Sequence, residues 1–370
     1  MGSSSWYGEA REQPRSIFLF GSEGNMHHCL RCMHERGIRP LRCLVHLGII
    51  IGETYFCDGN MNLRAEHMEP DLRITLTEPE GSRRAVLQAV PTLAWGIKRI
   101  EAPRAWGSSR GRGVRVAIID TGIERGHEAI ADNYGGGINI LSPHAPPMDY
   151  NGHGTHVAGI VAGRATEKGL LGVAPRAIVY AVKAFNRGGS AKLSDLLSAL
   201  NWCIENRMQV INMSFGMETK STALLQAIAT VYKHGSIMVA ATGNEGAKDR
   251  IDYPARCEET IAVTSFSING KLSHFSNMGK GIDLAAPGER IVSSWIRSGR
   301  REMSGTSMAV PHVTGTVALL LRRFGSFHIE HVRDLLRSAT TPLPGSRALN
   351  AYNALQLGKR RSYNTWKGSA

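Results

Sequence analysis

The 370-residue chain contains no apolar run of the roughly 18 residues that a membrane span requires. Near its start only Ile17 to Phe20 is apolar, short of the roughly 7–15 residues of a signal-peptide core. As written, the chain therefore reads as cytoplasmic, with secretion the alternative if its true start lies upstream. Cysteine is scarce: there are six, Cys29, Cys32, Cys43, Cys57, Cys203 and Cys257. Cys29-x-x-Cys32 with His27 and His28 supplies metal-ligand residue types. However, the spacing to Cys43 and Cys57 matches no zinc pattern and the pair falls on a helix-like run, so structural or free thiols are expected and no metal. Internal repeats and low-complexity tracts are also missing. Positive charge is in excess, with a formal net charge of +13. The first 88 residues hold ten arginines against eleven acids, so the remainder carries about +14. Those basic residues are scattered, apart from the end "GKRRSYNTWKGSA". No nucleic-acid motif accompanies that cluster; it reads as a solvated tail, and neither a nucleic-acid nor a membrane partner is expected.

What is present divides into two patterns. From Ser16 the chain reads as strand ("SIFLF"), helix (Asn25 to Arg36), strand ("PLRCLVHLGIII") and, after an irregular stretch, strand ("DLRITLTE"). Gly37 and Pro40 punctuate the end of the helix. Beyond "GSRRAV" come fully apolar runs without alternation, as expected of strands buried on both faces: "VRVAIIDTG", "IVYAVKAF", "MQVINMSFG", "SIMVAATGN" and "TIAVTSF". Helical patterns separate them at Thr155–Ala162, Leu193–Asn206, Thr222–Lys233 and Met308–Arg323. Strands alternating with helices imply an α/β fold with a doubly wound, mostly parallel sheet, preceded here by a small α+β domain. The expected organisation is a disordered segment over 1–15, the small domain over 16–84, the α/β domain over 85–357 and the basic tail over 358–370.

In such sheets ligands bind beyond the carboxyl ends of the strands, and there the informative residues fall. Asp120 ends the first buried strand, His153 lies in "NGHGTHVAGIVAG", and Ser307 lies in "SGTSMAVPHVTG" at a glycine-flanked helix start. A hydroxyl is a weak nucleophile until a base takes its proton. An imidazole titrating near neutrality can do so, and a buried carboxylate can fix its tautomer. Asn244, in "VAATGNEG", offers an amide to a developing oxyanion, with the Ser307 backbone N–H as a second donor. Each signal is weak alone. His153 and His156, three apart, are also possible metal ligands, but no carboxylate accompanies them.

These residues, with "DTGI", "NGHGTHVAGI", "GLLGVAPRA", "VINMSFG", "ATGNEG" and "GTSMAVPHVTG", make the chain resemble a subtilisin-family serine protease from about Trp95 to Leu355. The resemblance implies a serine endopeptidase acting on polypeptides, with Asp120, His153 and Ser307 as triad and Asn244 in the oxyanion hole. It implies that Ser214, Phe215, Gly216 and Gly188, Gly189, Ser190 flank an extended substrate. It also implies that the small N-terminal domain is a propeptide, a partner that the chain supplies to itself. A latent zymogen and a catalytically silent binding protein on the same fold are the alternatives.

Three departures individualise the chain. In similar proteases the position before "YP" floors the pocket for the residue preceding the cut bond; here it is Asp252, with Glu245 at the rim, which implies a preference for Arg or Lys. Otherwise Asp252 is turned to solvent or paired with Arg250 or Arg256. A basic preference would make Arg84–Ala85 in "GSRRAV" a self-cleavage site, with a cut near Gln88 the rival. Finally, Ala129 and Thr166 stand where the family's tight calcium ligands would be, so no cofactor is expected at that site.

Overall fold

The computed structural model describes residues 14–53, 63–77, 93–164, 170–325 and 328–367, the last seven as backbone only. It divides into two compact units, Met1–Leu72 and Arg73–Ala370. The division lies before the last strand of the expected small domain, not after Arg84. Residues 78–92, with Arg84 and Gln88, lie outside the described residues.

The smaller unit contains β1 (Arg15–Leu19), α1 (Glu23–Glu35), β2 (Arg42–Leu44), β3 (Ile49–Glu53) and β4 (His67–Pro70), with strand order β2-β3-β1-β4. Ser22 caps α1 by accepting the Asn25 N–H on its side chain, and Met26, Cys29 and Met33 form the buried stripe. The long strand expected over 40–51 is instead a hairpin. A 3₁₀ turn at Val45–Leu47 ends on Gly48, whose φ of +64° reverses the chain. β4 was not expected, because its residues are mostly exposed and carry no apolar signal.

The larger unit begins with β5 (Arg73–Thr75), α2 (Trp95–Arg99), α3 (Ala102–Ala105), β6 (Arg115–Asp120), β7 (Tyr134–Asn139), α4 (His153–Ala162), β8 (Ile178–Lys183) and β9 (Ser190–Lys192). It continues with α5 (Leu193–Glu205), β10 (Val210–Met213), α6 (Thr222–Lys233), β11 (Ile237–Ala241), β12 (Thr260–Phe266), β13 (Leu284–Pro287), β14 (Ile291–Trp295) and β15 (Gly299–Met303). Then follow α7 (Thr306–Phe324), α8 (Ile329–Ser338), β16 (Thr341–Leu343), β17 (Ser346–Ala348) and α9 (Ala351–Lys367). The expected tail from 358 is thus largely a continuation of α9.

A nine-stranded sheet has the order β16-β17-β13-β12-β11-β10-β6-β8-β7, and every pairing in it is parallel except β16–β17. The apolar runs are its central strands, buried on both faces. Helix α4 packs on α7, and α5 on α6. Strand order reverses at β6, which carries β8 on one side and β10 on the other. That reversal opens a crevice at the carboxyl ends of the strands, where Asp120 lies.

Candidate active site

Asp120 ends β6 and His153 opens α4; both are buried, and His153 Nδ1 lies 2.8 and 2.9 Å from the two Asp120 carboxylate oxygens. The close approach needs glycine at 154, because a Cβ there would lie 2.1 Å from the Gly122 carbonyl oxygen and 3.1 Å from Asp120 Oδ1. Ser307 is the second residue of α7, entered through Gly305. Its Oγ donates to the Ser214 carbonyl at 2.8 Å, while Ser214 Oγ donates to the Ser307 carbonyl at 2.9 Å. Pro311 explains the second bond. It stands four residues after Ser307 and has no N–H, so α7 cannot satisfy that carbonyl itself. Ser214 is held in turn by Asn212 Nδ2 at 2.8 Å, and Asn212 Oδ1 accepts from Thr314 on α7 at 2.9 Å.

Asn244 follows β11. Its Oδ1 accepts from the Thr306 N–H (2.8 Å) and hydroxyl (2.9 Å), which orients the amide so that Nδ2 faces outward. Nδ2 donates to the carbonyl oxygen of Thr77 at 2.9 Å. Residues 73–77 reach that point as an extended segment. β5 pairs antiparallel with β9 in the register Arg73–Lys192, Ile74–Ala191, Thr75–Ser190, and the Leu76 N–H donates to the Gly189 carbonyl at 2.8 Å. The "GGS" segment is therefore an edge to which the chain's own extended segment 73–77 adds. Ser214, Phe215 and Gly216 form no backbone bond to 73–77 among the described residues. Ser214 instead engages Ser307, and Phe215 packs on Phe185 with ring centroids 5.4 Å apart.

Asp252 is buried rather than turned to solvent. It sits between Gly216 and Gly243, where a Cβ would come within 2.8 and 2.6 Å of its carboxylate oxygen. Asn277 Nδ2 donates to Asp252 Oδ1 at 3.3 Å and to Glu245 Oε2 at 2.6 Å. Arg250 is loosely placed, its Nε 3.9 Å from Asp252, and makes its close pair with Glu218 at 2.5 Å. Arg256 lies instead over the Tyr253 ring. Burial first, then the charge of Glu245, push the Asp252 carboxyl up to about 6, with Arg250 acting the other way.

A family model described as "Subtilase family" matches residues 111–354. The chain belongs to the subtilase family. It is 38% identical over 277 residues to an alkaline protease of Alkalihalobacillus alcalophilus, covering 75% of this chain and 71% of that one. Subtilisin DY of Bacillus licheniformis is 39% identical over 259 residues, 69% of this chain and 94% of the relative. Subtilisin Savinase of Lederbergia lenta is 40% identical over 257 residues, 69% and 93%. As a subtilase, the protein is a serine-type endopeptidase that hydrolyses peptide bonds.

Reading the sequence missed the groups that hold this subtilase's catalytic end together. Asp149, buried ahead of α4, accepts from the Thr121 hydroxyl at 2.9 Å, the Asn151 and Gly152 N–H groups at 2.9 and 2.8 Å, and Thr155 N–H and Oγ1 at 2.9 and 2.7 Å. It thereby ties the turn after Asp120 to the start of the helix carrying His153. The buried Lys183 amine donates to the Thr121 carbonyl, and burial lowers its pKa. The only sequence signal was an acid four residues before His153. His156 is structural, its Nε2 lying 3.1 and 2.9 Å from the carbonyls of Ile291 and Arg301. No cluster of three or more potential metal-binding side chains occurs among the described residues. Ala129 offers no side-chain oxygen and its carbonyl accepts the Arg164 N–H at 2.8 Å, while Thr166 lies outside the described residues.

Proposed function

We propose that Ser307 is the nucleophile, His153 the general base and acid, Asp120 the group that orients it, and Asn244 with the Ser307 N–H the oxyanion hole. The observation that carries this reading is Asn244 Nδ2 donating to the Thr77 carbonyl at 2.9 Å. The amide supplies the hydrogen bond required for a carbonyl under attack, next to the helix start that bears Ser307. For attack, the Ser307 hydroxyl exchanges its bond to the Ser214 carbonyl for one to His153. Oγ then adds to the carbonyl carbon, the proton passes to the imidazole, and the oxyanion is met by Asn244. Collapse returns that proton to the leaving amine, and water repeats the sequence on the acyl-enzyme.

The same observation favours a self-processing bond other than Arg84–Ala85. With the Thr77 carbonyl at Asn244, the bond next in line is Thr77–Glu78, and residues 73–77 are the acyl half of the enzyme's own first substrate. Threonine has no charge to match the Asp252 pocket. An intramolecular substrate needs no such match, because tethering supplies an effective concentration far above that of any free peptide. Asp252, with Glu245 and Glu218 close by, then serves Arg or Lys side chains of external polypeptides. Residues 1–77 act as the propeptide, and β5 remains paired to β9 until it dissociates. Ala129 argues against tight calcium at the family position, so chelation should leave the thermal midpoint unchanged.

Intact mass and N-terminal sequencing of the wild type beside Ser307→Ala test the assignment. A wild-type chain beginning at Glu78, with the variant whole, supports it. A start at Ala85 moves the cut to Arg84 and aligns self-processing with the Asp252 pocket, and a start near Gln88 detaches it from both. If both proteins stay whole and the wild type hydrolyses an added peptide only after a second protease has removed its N-terminal unit, the protein is a latent zymogen. If it hydrolyses none, the triad assignment fails.

A further inference from the structure

The end of the larger unit opposite the catalytic groups is built from arginines that are dispersed in sequence. Arg115 starts β6 and Asp120 ends it, so the residues just before β6 lie at the far end of the sheet. There Arg110 and Arg112 flank Gly111, Arg176 precedes β8, and Arg322 and Arg323 close the last turn of α7. All five are exposed and line one open cleft of about 520 Å³, with Trp106 in its wall. None of the five guanidinium groups lies within 4.0 Å of a carboxylate among the described residues.

The frame of this cleft is rigid. The Arg176 N–H donates to the Arg110 carbonyl at 2.9 Å, Gly113 N–H to the Arg176 carbonyl at 3.3 Å, and Val114 N–H to the Gly111 carbonyl at 3.1 Å. Trp106 is pinned by its Nε1 donating to the Val173 carbonyl at 2.9 Å, and the Arg110 guanidinium lies 5.9 Å from its ring centre. Arg322 and Arg323 have a local reason to be where they are, since cations suit the carboxyl end of a helix. Arg112 and Arg176 stand on turns and have none, and Arg110 has only its contact with the Trp106 ring. Five like charges converging on one cleft repel one another, and a polyanion removes that repulsion. Guanidinium forks match phosphate oxygens two at a time, and the cleft is too open for a single small ion.

We propose that this cleft binds a multiply charged phosphate anion, either a soluble oligophosphate or phosphate groups displayed side by side on a lipid surface. The test uses full-length protein carrying Ser307→Ala, so that it does not digest itself, with inorganic tripolyphosphate as probe in titration calorimetry. Tripolyphosphate is expected to bind at least ten-fold more tightly than sulfate at matched ionic strength. Arg112→Gln with Arg322→Gln should weaken it at least ten-fold, while the same pair in an active background leaves peptide hydrolysis unchanged. Vesicles of anionic phospholipid that bind with the same arginine dependence identify a lipid source; binding of tripolyphosphate without vesicles identifies a soluble one. The proposal fails if the double variant keeps its affinity within two-fold, if sulfate binds equally well, or if poly-glutamate matches tripolyphosphate.

Discussion

Two side chains concentrate the chemistry at the scale of single residues. Asn244 has its acceptor committed to Thr306, so replacement by alanine removes one aimed donor without disturbing a charge. Loss of this kind of donor from subtilisin itself lowers kcat by about 10²–10³, and a fall of that size with KM nearly unchanged is expected for Asn244→Ala. Equal losses in binding would assign Asn244 to substrate affinity instead. Asp252 has the opposite character, a carboxylate held where it resists ionisation, its pKa pushed up to about 6. The folded state therefore keeps this proton more tightly than the unfolded chain, and stability falls as pH rises from about 4 through about 6. Above that window the ionised group costs on the order of 2–3 kcal/mol. Asp252→Asn should raise the thermal midpoint at pH 8 and lower kcat/KM for arginine peptides at least ten-fold relative to leucine peptides. In the wild type the arginine preference should weaken as pH falls through about 6. An unchanged Arg/Leu ratio in the variant would refute the pocket assignment.

Among elements, α7 shows how a local defect is repaired by tertiary structure. Pro311 leaves the Ser307 carbonyl without a helical partner, and Ser214 from beyond β10 supplies one at 2.9 Å. Ser214→Ala should cost about 1–3 kcal/mol, because a buried acceptor is orphaned. Adding Pro311→Ala restores an N–H within the helix, so the double variant should lose less than the sum of the singles. Strict additivity in a denaturation cycle would rule this coupling out. The long apolar strands and helices were legible from sequence because burial on both faces or along one stripe leaves a strong pattern. β14, β15, β16 and β17 were not, since three to five residues of mixed polarity carry no period. The same limit applied at the site. Asp120, His153, Asn244 and Ser307 each lie within two residues of a glycine near a strand end or a helix start, whereas Asp149, 29 residues from Asp120, acts only through contacts made by folding. The strand "DLRITLTE" was recognised, but its partner β9 lies more than a hundred residues away and no local signal points to it.

At the scale of the whole molecule, the larger unit carries opposite charge clusters at the two ends of its strands. Glu218, Glu245 and Asp252 gather beside the catalytic end, and the arginine cleft occupies the other. A net charge of +13 should repel a cationic peptide, yet at physiological salt the screening length is about 8 Å. Such a peptide then responds to the nearby carboxylates and not to the distant arginines. Raising NaCl from about 0.1 to 0.5 M should reduce kcat/KM for an arginine peptide several-fold and leave a neutral peptide unaffected. A rise with salt would mean that the global charge dominates.

If the chain processes itself as proposed, the pairing of β5 with β9 sets how the enzyme is released. Before the chain is cut, residues 73–77 belong to the same molecule as the groove they fill, so occupancy is independent of protein concentration. Once the Thr77–Glu78 bond is broken, the same contact joins two molecules, and its persistence depends on how crowded they are. Inhibition then fades with dilution, and activity appears first wherever the newly made protein spreads thin.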